Sequence, residues 1–99
     1  MPWGERLIVG VSVELAGELT RIAGEKRVLV EACLLGQVLD TLASGHGEEF
    51  RDRLFDSGGQ PRRFINIYVN GRDYRFLDKL DTVLHEGDVV ALFPAVSGG

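Results

Sequence analysis

The sequence is poor in the residues that build metal sites, disulfides and nucleic-acid-binding surfaces. Its 99 residues include one cysteine, two histidines and two lysines, with a formal net charge of −4. A single cysteine excludes an intramolecular disulfide, and no Cys/His cluster has the spacing of a zinc site. Basic residues form no run longer than Arg62-Arg63. We therefore expect no bound metal or cofactor and no nucleic-acid partner.

Long hydrophobic runs are also missing. No apolar stretch approaches the ~18–20 residues of a membrane span, and the N-terminus lacks the basic start and apolar core of a signal peptide. We therefore expect no membrane partner and a cytoplasmic location. A chain of this length forms one domain with little room for an internal catalytic cavity. This favours a protein that binds, carries or is acted upon, not an enzyme.

Five segments have the patterning of β-strands. Residues 6–15 alternate between apolar and other side chains, and the strand 64–69 runs into Asn70-Gly71, a strong hairpin-turn signal. The run 89–93 is continuously apolar, as in a buried central strand, and Pro94 is expected to end it. The predicted strands are 6–15, 26–31, 64–69, 74–76 and 89–93.

Two segments have helical patterning. The main helix is predicted at 35–44, and a second, shorter helix is predicted at 48–55. The segments 16–25, 56–61 and 77–86 are predicted to be loops or irregular. One main helix on one face of a mixed sheet of four to five strands predicts an α+β domain. The apolar face of the main helix consists of Leu35, Val38, Leu39 and Leu42.

The sequence ends in a short tail whose last two residues are Gly98 and Gly99. Two glycines can enter a channel too narrow for a side chain. The six residues from Pro94 onward can reach ~20 Å when fully extended. We therefore expect a flexible tail at 94–99 that presents the carboxylate of Gly99 inside a partner's active site.

The second half of the chain resembles the ubiquitin-like sulfur carriers of the MoaD and ThiS families, and the CysO type most closely. The resemblance is carried by the strand 64–69 with Asn70, by the Gly87-Asp88 turn before the last strand, and by the ending 93–99. It spans residues 28–99 well and the first strand loosely. It implies a β-grasp (ubiquitin-like) fold for a single domain over 1–99, with 1–5 as an N-terminal extension.

The resemblance also implies a chemistry. A MoeB/ThiF-like enzyme would adenylate the Gly99 carboxylate with ATP and magnesium, and a sulfur donor would displace AMP to leave a thiocarboxylate. The sulfur would pass to a cysteine-synthase-like enzyme, a thiazole-synthase-like enzyme or the large subunit of a molybdopterin synthase. The product would be cysteine, thiamin, molybdopterin or a secondary metabolite. Gly98 and Gly99 would be the reactive end, and the predicted docking surface consists of Phe93, Pro94, Ala95, Val96 and Ser97.

Two alternatives begin from the same carboxylate. The chain could be a protein modifier that is conjugated to lysines through Gly99, as ubiquitin is. It could instead be the small subunit of a molybdopterin synthase, with its tail inserted in the large subunit. The genes beside its own would separate these functions by naming the acceptor.

The other candidate residues have simpler interpretations. We expect Cys33 to be a partly buried, inert thiol near a helix start that lacks a capping side chain. His46 and His85 are expected in loops or on the surface. Arg62-Arg63 is either a solvated strand entry or a contact for an acidic groove. The hydrophobic residues of the strand 64–69 are expected to be core more than binding surface.

Overall fold

The first two strands form an antiparallel pair. A computed structural model describes residues 9–95, and β1 (Val9–Leu15) and β2 (Arg27–Ala32) pair from Val9 opposite Ala32 to Glu14 opposite Arg27. The β1 side chains alternate as predicted, with Val11, Val13 and Leu15 buried. Both strands are therefore confirmed, except that residues 6–8 of the first prediction lie outside the described residues.

The connection between β1 and β2 differs from the predicted loop at 16–25. It contains a helix, α1 (Glu18–Ala23), which begins after Gly17 and ends at Gly24. Leu19 is fully buried, and Ile22 and Ala23 pack against the core. These residues have the i, i+3, i+4 spacing of a helix face, but a six-residue helix between two glycines gives too little periodicity to detect.

Both remaining helices are confirmed. Helix α2 (Leu35–Gly45) buries its predicted face, and α3 (Glu48–Leu54) buries Phe50 and Leu54. The start of α2 is capped from inside the helix. The Oε1 of Gln37 accepts hydrogen bonds from the N–H groups of Cys33 at 2.7 Å and Leu34 at 3.1 Å. This is the reciprocal half of a capping box, in which a side chain of the first turn accepts the N–H group of the N-cap residue.

Strand β3 (Ile65–Val69) is followed by the predicted turn, with positive φ at Asn70 (51°) and Gly71 (85°). The predicted return strand at 74–76 is wrong. A two-residue turn pairs β4 (Arg72–Asp73) directly with the end of β3, and Tyr74–Phe76 forms a 3-10 helix. The side chain of Asp73 accepts the N–H of Arg75, which starts that helix and ends the pairing.

Strand β5 (Val89–Pro94) lies at the centre of the sheet, whose order is β2-β1-β5-β3-β4. It is parallel to β1 and antiparallel to β3, and Val90 and Leu92 are fully buried. The predicted central strand beside the first strand is therefore confirmed. The five-stranded mixed sheet with helices on one face is the expected α+β, β-grasp architecture.

The core fills the space between α2 and one face of the sheet. Its fully buried large side chains are Phe50, Leu19, Leu35, Leu39, Leu42, Leu54, Ile65, Ile67, Leu92, Val11, Val13 and Val38. Within residues 9–95, none of the helices has the length and hydrophobicity to cross a membrane. The single-domain interpretation of 1–99 stays a prediction, because its extension 1–5 and the residues 96–99 lie outside the described residues.

Candidate functional site at the end of the central strand

The root of the C-terminal tail is joined to the sheet by hydrogen bonding. Pro94, the last residue of β5, is paired with Ile65, and the N–H of Ala95 donates to the carbonyl oxygen of Phe64 at 2.6 Å. The strand was predicted to stop at Pro94 after 89–93, but Pro94 is itself part of β5. The tail was expected to be free from position 94, whereas the pairing to β3 continues through Ala95. The expected flexibility of 96–99 lies outside the described residues.

A proline is tolerated at this position because of where its nitrogen points. Successive N–H groups of a strand face opposite sides, and Ala95 uses its N–H on the β3 side. The nitrogen of Pro94 therefore faces the β1 side. The pairing of β1 with β5 has already ended at Leu15 opposite Leu92, so no ladder hydrogen bond is lost there.

The predicted docking residues do not lie on one surface. Phe93 is half-buried on the open face of the sheet, the face opposite the core. Its ring stacks on Tyr68, with the ring centroids 5.4 Å apart and the ring planes at 22° to each other. Pro94 is half-buried beside Gly17, and Ala95 is exposed. Val96, Ser97, Gly98 and Gly99 belong to the part of the chain that the structure leaves undescribed.

The residues of β3 divide between the two faces of the sheet. Ile65, Ile67 and Val69 are core residues, as expected, but Tyr68 is half-buried on the open face and Phe64 is 43% exposed. The expectation that the hydrophobic residues of this strand are mostly core is wrong for these two. The period-two alternation within 64–69 could have predicted which of these side chains are exposed, because every second side chain of a strand shares a face.

An ion pair borders the aromatic pair on the open face. Arg75 donates to both carboxylate oxygens of Asp73, and its Nη2 lies 3.4 Å from Oδ1 of Asn66. The hydrogen bond from the Arg75 guanidinium lowers the pKa of the Asp73 carboxyl, and the same bond raises the pKa of Arg75. The side chains beside Tyr68 and Phe93 are therefore charged at neutral pH and held in a defined geometry.

The cysteine and the two histidines that the sequence offered as candidates do not form a site together. Cys33 is half-buried before α2, and within residues 9–95 no three His, Cys, Asp or Glu side chains are grouped to hold a metal. Nδ1 of His46 lies 3.0 Å from the Leu42 carbonyl oxygen, and its Nε2 lies 3.0 Å from a Glu25 carboxylate oxygen. His85 is exposed.

The two arginines before β3 have different surroundings. The Nε of Arg62 donates to the backbone carbonyl of Asp52 at 2.6 Å, and Arg63 is exposed. Arg62 is half-buried, so only Arg63 fits the expected solvated strand entry.

Comparison with known proteins decides the family. The pattern of the ThiS family matches residues 13–99 of this chain, from the middle of β1 through Gly98 and Gly99. The chain belongs to the ThiS family. The resemblance noted from the strand, the Gly-Asp turn and the ending is thereby confirmed.

Three relatives illustrate what this ThiS-family protein is similar to. The chain is 41% identical over 78 residues to sulfur carrier protein CysO of Mycobacterium tuberculosis, covering 77% of this chain and 83% of that protein. The solution structure of small archaeal modifier protein 1 from Methanosarcina acetivorans superposes with a TM-score of 0.85 at 28% identity, covering 93% and 98% of the two chains. The crystal structure of the Amycolatopsis orientalis BexX/CysO complex contains a chain that superposes with a TM-score of 0.78 at 33% identity, covering 90% and 99%.

Proposed function

We propose that this protein is a sulfur carrier that holds sulfur as a thiocarboxylate on Gly99. The observation that carries the proposal is the family match, which extends beyond the central strand and through Gly98 and Gly99. The similarity to a protein named as the sulfur carrier CysO supports the same function.

The chemistry follows from the weakness of a carboxylate as an acyl donor. A carboxylate is anionic and has a poor leaving group, so the activating enzyme transfers AMP from ATP to the Gly99 carboxylate and releases pyrophosphate. A sulfur nucleophile then attacks the carbonyl carbon, and AMP leaves with the bonding electron pair. The product is a C-terminal thiocarboxylate, which is ionised at neutral pH and strongly nucleophilic.

In this proposal the protein is a substrate and partner of enzymes. A MoeB/ThiF-like adenylating enzyme binds the ATP and magnesium and takes the tail into its active site. A biosynthetic enzyme of the cysteine-synthase, thiazole-synthase or molybdopterin-synthase type then accepts the sulfur. The solved complex of BexX with CysO supports the idea that a carrier of this fold works while bound to a second protein.

The intact mass of the protein isolated from its own cells tests the proposal. We expect a fraction that is heavier by about 16 Da, the difference between the atomic masses of sulfur and oxygen. A matched variant that lacks Gly99 should show no such fraction. The proposal would be contradicted if the protein isolated from its own cells, while they make the sulfur-containing product, had the same mass as the recombinant parent chain.

A second candidate function is that of a protein modifier, and the similarity to small archaeal modifier protein 1 favours it. A modifier forms an amide bond between Gly99 and a lysine of a target. An N-terminally tagged chain would then give bands of higher mass that survive reducing agents and are absent for the Gly99 deletion. A thiocarboxylate fraction without such bands selects the sulfur-carrier function.

A further inference from the structure

The tail root, which consists of Pro94 and Ala95, is held from two sides. On the β3 side, the N–H of Ala95 donates to the carbonyl oxygen of Phe64 at 2.6 Å. On the β1 side, the ring of Pro94 faces Gly17, the residue just before α1, and occupies the space next to where a Gly17 side chain would stand. These two contacts bracket the last described residues of the chain.

Gly17 makes room for the proline ring by lacking a side chain. A Cβ at position 17 would lie 3.4 Å from Cδ of Pro94 and 3.3 Å from its Cγ, and the shorter distance would require the ring to move by a few tenths of an ångström. The backbone of Gly17, with φ 61° and ψ −138°, also adopts a conformation that favours glycine. The turn from β1 into α1 can therefore pass directly beside the tail root.

This contact lies outside the central packing of the sheet. The pairing of β1 with β5 ends at Leu15 opposite Leu92, two residues before Pro94. Pro94 is half-buried and Ala95 is exposed, in contrast to the fully buried Val90 and Leu92. Beyond Leu92 only the pairing with β3 continues, so the two contacts act on the end of β5 that leads to the tail.

We propose that Gly17, Pro94 and the Phe64–Ala95 hydrogen bond form a tail clamp that fixes the point at which the reactive tail leaves the domain. The inference rests on the proposed function, because it concerns how Gly99 is presented to the activating enzyme. With the clamp closed, four residues lie between Ala95 and the chain end, and they reach ~14 Å when extended. With the clamp open, six residues are free.

The expected effect of opening can be bounded. Effective concentration falls with about the −3/2 power of linker length, so lengthening the free tail from four to six residues lowers it about twofold. Displacement of the exit point adds to this loss, because misplacing a reacting group by ~1 Å can cost up to 10²-fold in rate. An open clamp should therefore reduce the rate of adenylation about two- to tenfold.

Two variants open the clamp from opposite sides. Gly17→Ala pushes on the proline ring, and Pro94→Ala removes Cγ and Cδ of that ring. Gly24→Ala is the matched control, since Gly24 also has a positive φ (81°) and ends the same helix, but a Cβ there meets nothing within 4 Å. The control therefore imposes backbone strain on α1 without touching the tail root.

The first measurement is ATP–pyrophosphate exchange by the activating enzyme with the carrier as the varied substrate. We expect Gly17→Ala and Pro94→Ala to lower kcat two- to tenfold with KM unchanged. Partial unfolding would instead lower the concentration of competent carrier and raise the apparent KM with kcat unchanged. Gly24→Ala should keep the parent kcat.

The second measurement is the hydrogen-exchange rate of the Ala95 amide, which we expect to rise about tenfold in both clamp variants and to stay unchanged in Gly24→Ala. It needs no partner enzyme and so tests the clamp even if the parent chain is not activated, a result that would count against the proposed function alone. Unchanged exchange in both clamp variants, an unchanged kcat beside an active parent, or an equal loss of kcat in Gly24→Ala would each overturn the clamp.

Discussion

Asn70 in the turn after β3 is joined to Asp88 at the start of β5. The Nδ2 of Asn70 donates to Oδ1 of Asp88 at 2.9 Å, while Oδ1 of Asn70 accepts the N–H of Val89 at 2.9 Å. Asp88 in turn accepts the N–H of His85 at 2.8 Å. One amide side chain therefore ties the hairpin turn to the entry of the central strand, and its backbone φ of 51° is one that asparagine tolerates.

Replacing Asn70 tests this link. We expect Asn70→Ala to lower the free energy of unfolding by about 1–3 kcal/mol, since it removes two hydrogen bonds and places alanine at positive φ. Asn70→Gly keeps the backbone conformation and should lose less. Urea unfolding of the three proteins measures the difference, and equal stabilities for Asn70→Ala and the parent would contradict the link.

The Asp73–Arg75 pair predicts a dependence of stability on pH. Because the hydrogen bond from Arg75 lowers the pKa of Asp73 in the folded state, the unfolded chain takes up this proton at a higher pH. The contribution of the pair is therefore present above the ordinary carboxyl pKa of ~3.9 and is lost as the pH falls through the folded-state pKa.

Asp73→Asn should flatten this acid limb, and Arg75→Gln should flatten it only in part, because the backbone N–H of residue 75 still donates to the Asp73 carboxylate. Urea midpoints between neutral and acid pH give the slopes. An Asp73→Asn slope equal to that of the parent would show that the carboxyl does not contribute.

Buried residues of the central strand should dominate stability. Leu92→Ala and Val90→Ala remove side chains that are fully buried in the core, and each should cost about 2–4 kcal/mol through lost burial and a residual cavity. Val89→Ala is the control, since Val89 is half-buried and alternates onto the other face. Its cost should stay below about 1 kcal/mol. Equal losses at positions 89 and 90 would argue against the assigned faces.

The aromatic pair on the open face predicts a docking effect. Phe93→Ala removes the ring that stacks on Tyr68 and should raise KM for the activating enzyme about tenfold, as for a central aromatic contact of an interface. Leu29→Ala is a control on β2, where the side chain is 79% exposed. It should leave KM within about twofold of the parent. An unchanged KM for Phe93→Ala would remove this residue from the docking surface.

The reactive end should be sensitive to a single residue. Deleting Gly99 shortens the reach by ~3.5 Å, and Gly98→Val places a side chain where a glycine-width channel has no room. We expect both changes to abolish ATP–pyrophosphate exchange while shifting the free energy of unfolding by less than ~0.5 kcal/mol. If the Gly99 deletion is activated as well as the parent, the terminal carboxylate is not the reacting group.

The elements that could be predicted are those with a long or repeated local signal. The face of α2 repeats over two turns, the alternation of β1 extends over seven residues, and the Asn70-Gly71 turn carries its own backbone preference. Helix α1 was not predicted because a helix of six residues shows its apolar face only once, and Leu19 stabilises it only when the core is present to bury that side chain.

The same distinction applies to the site. The sequence alone was enough to predict the features that depend on residues adjacent in the chain, namely the apolar run of β5, the ending Gly98-Gly99 and the family to which the chain belongs. The contacts around the tail root were not. Gly17 and Pro94 are far apart in the sequence and meet only because β1 and β5 lie side by side, and Ala95 reaches Phe64 only through the antiparallel register of β3. No local propensity encodes such a contact, so only the assembled sheet decided which residues hold the tail.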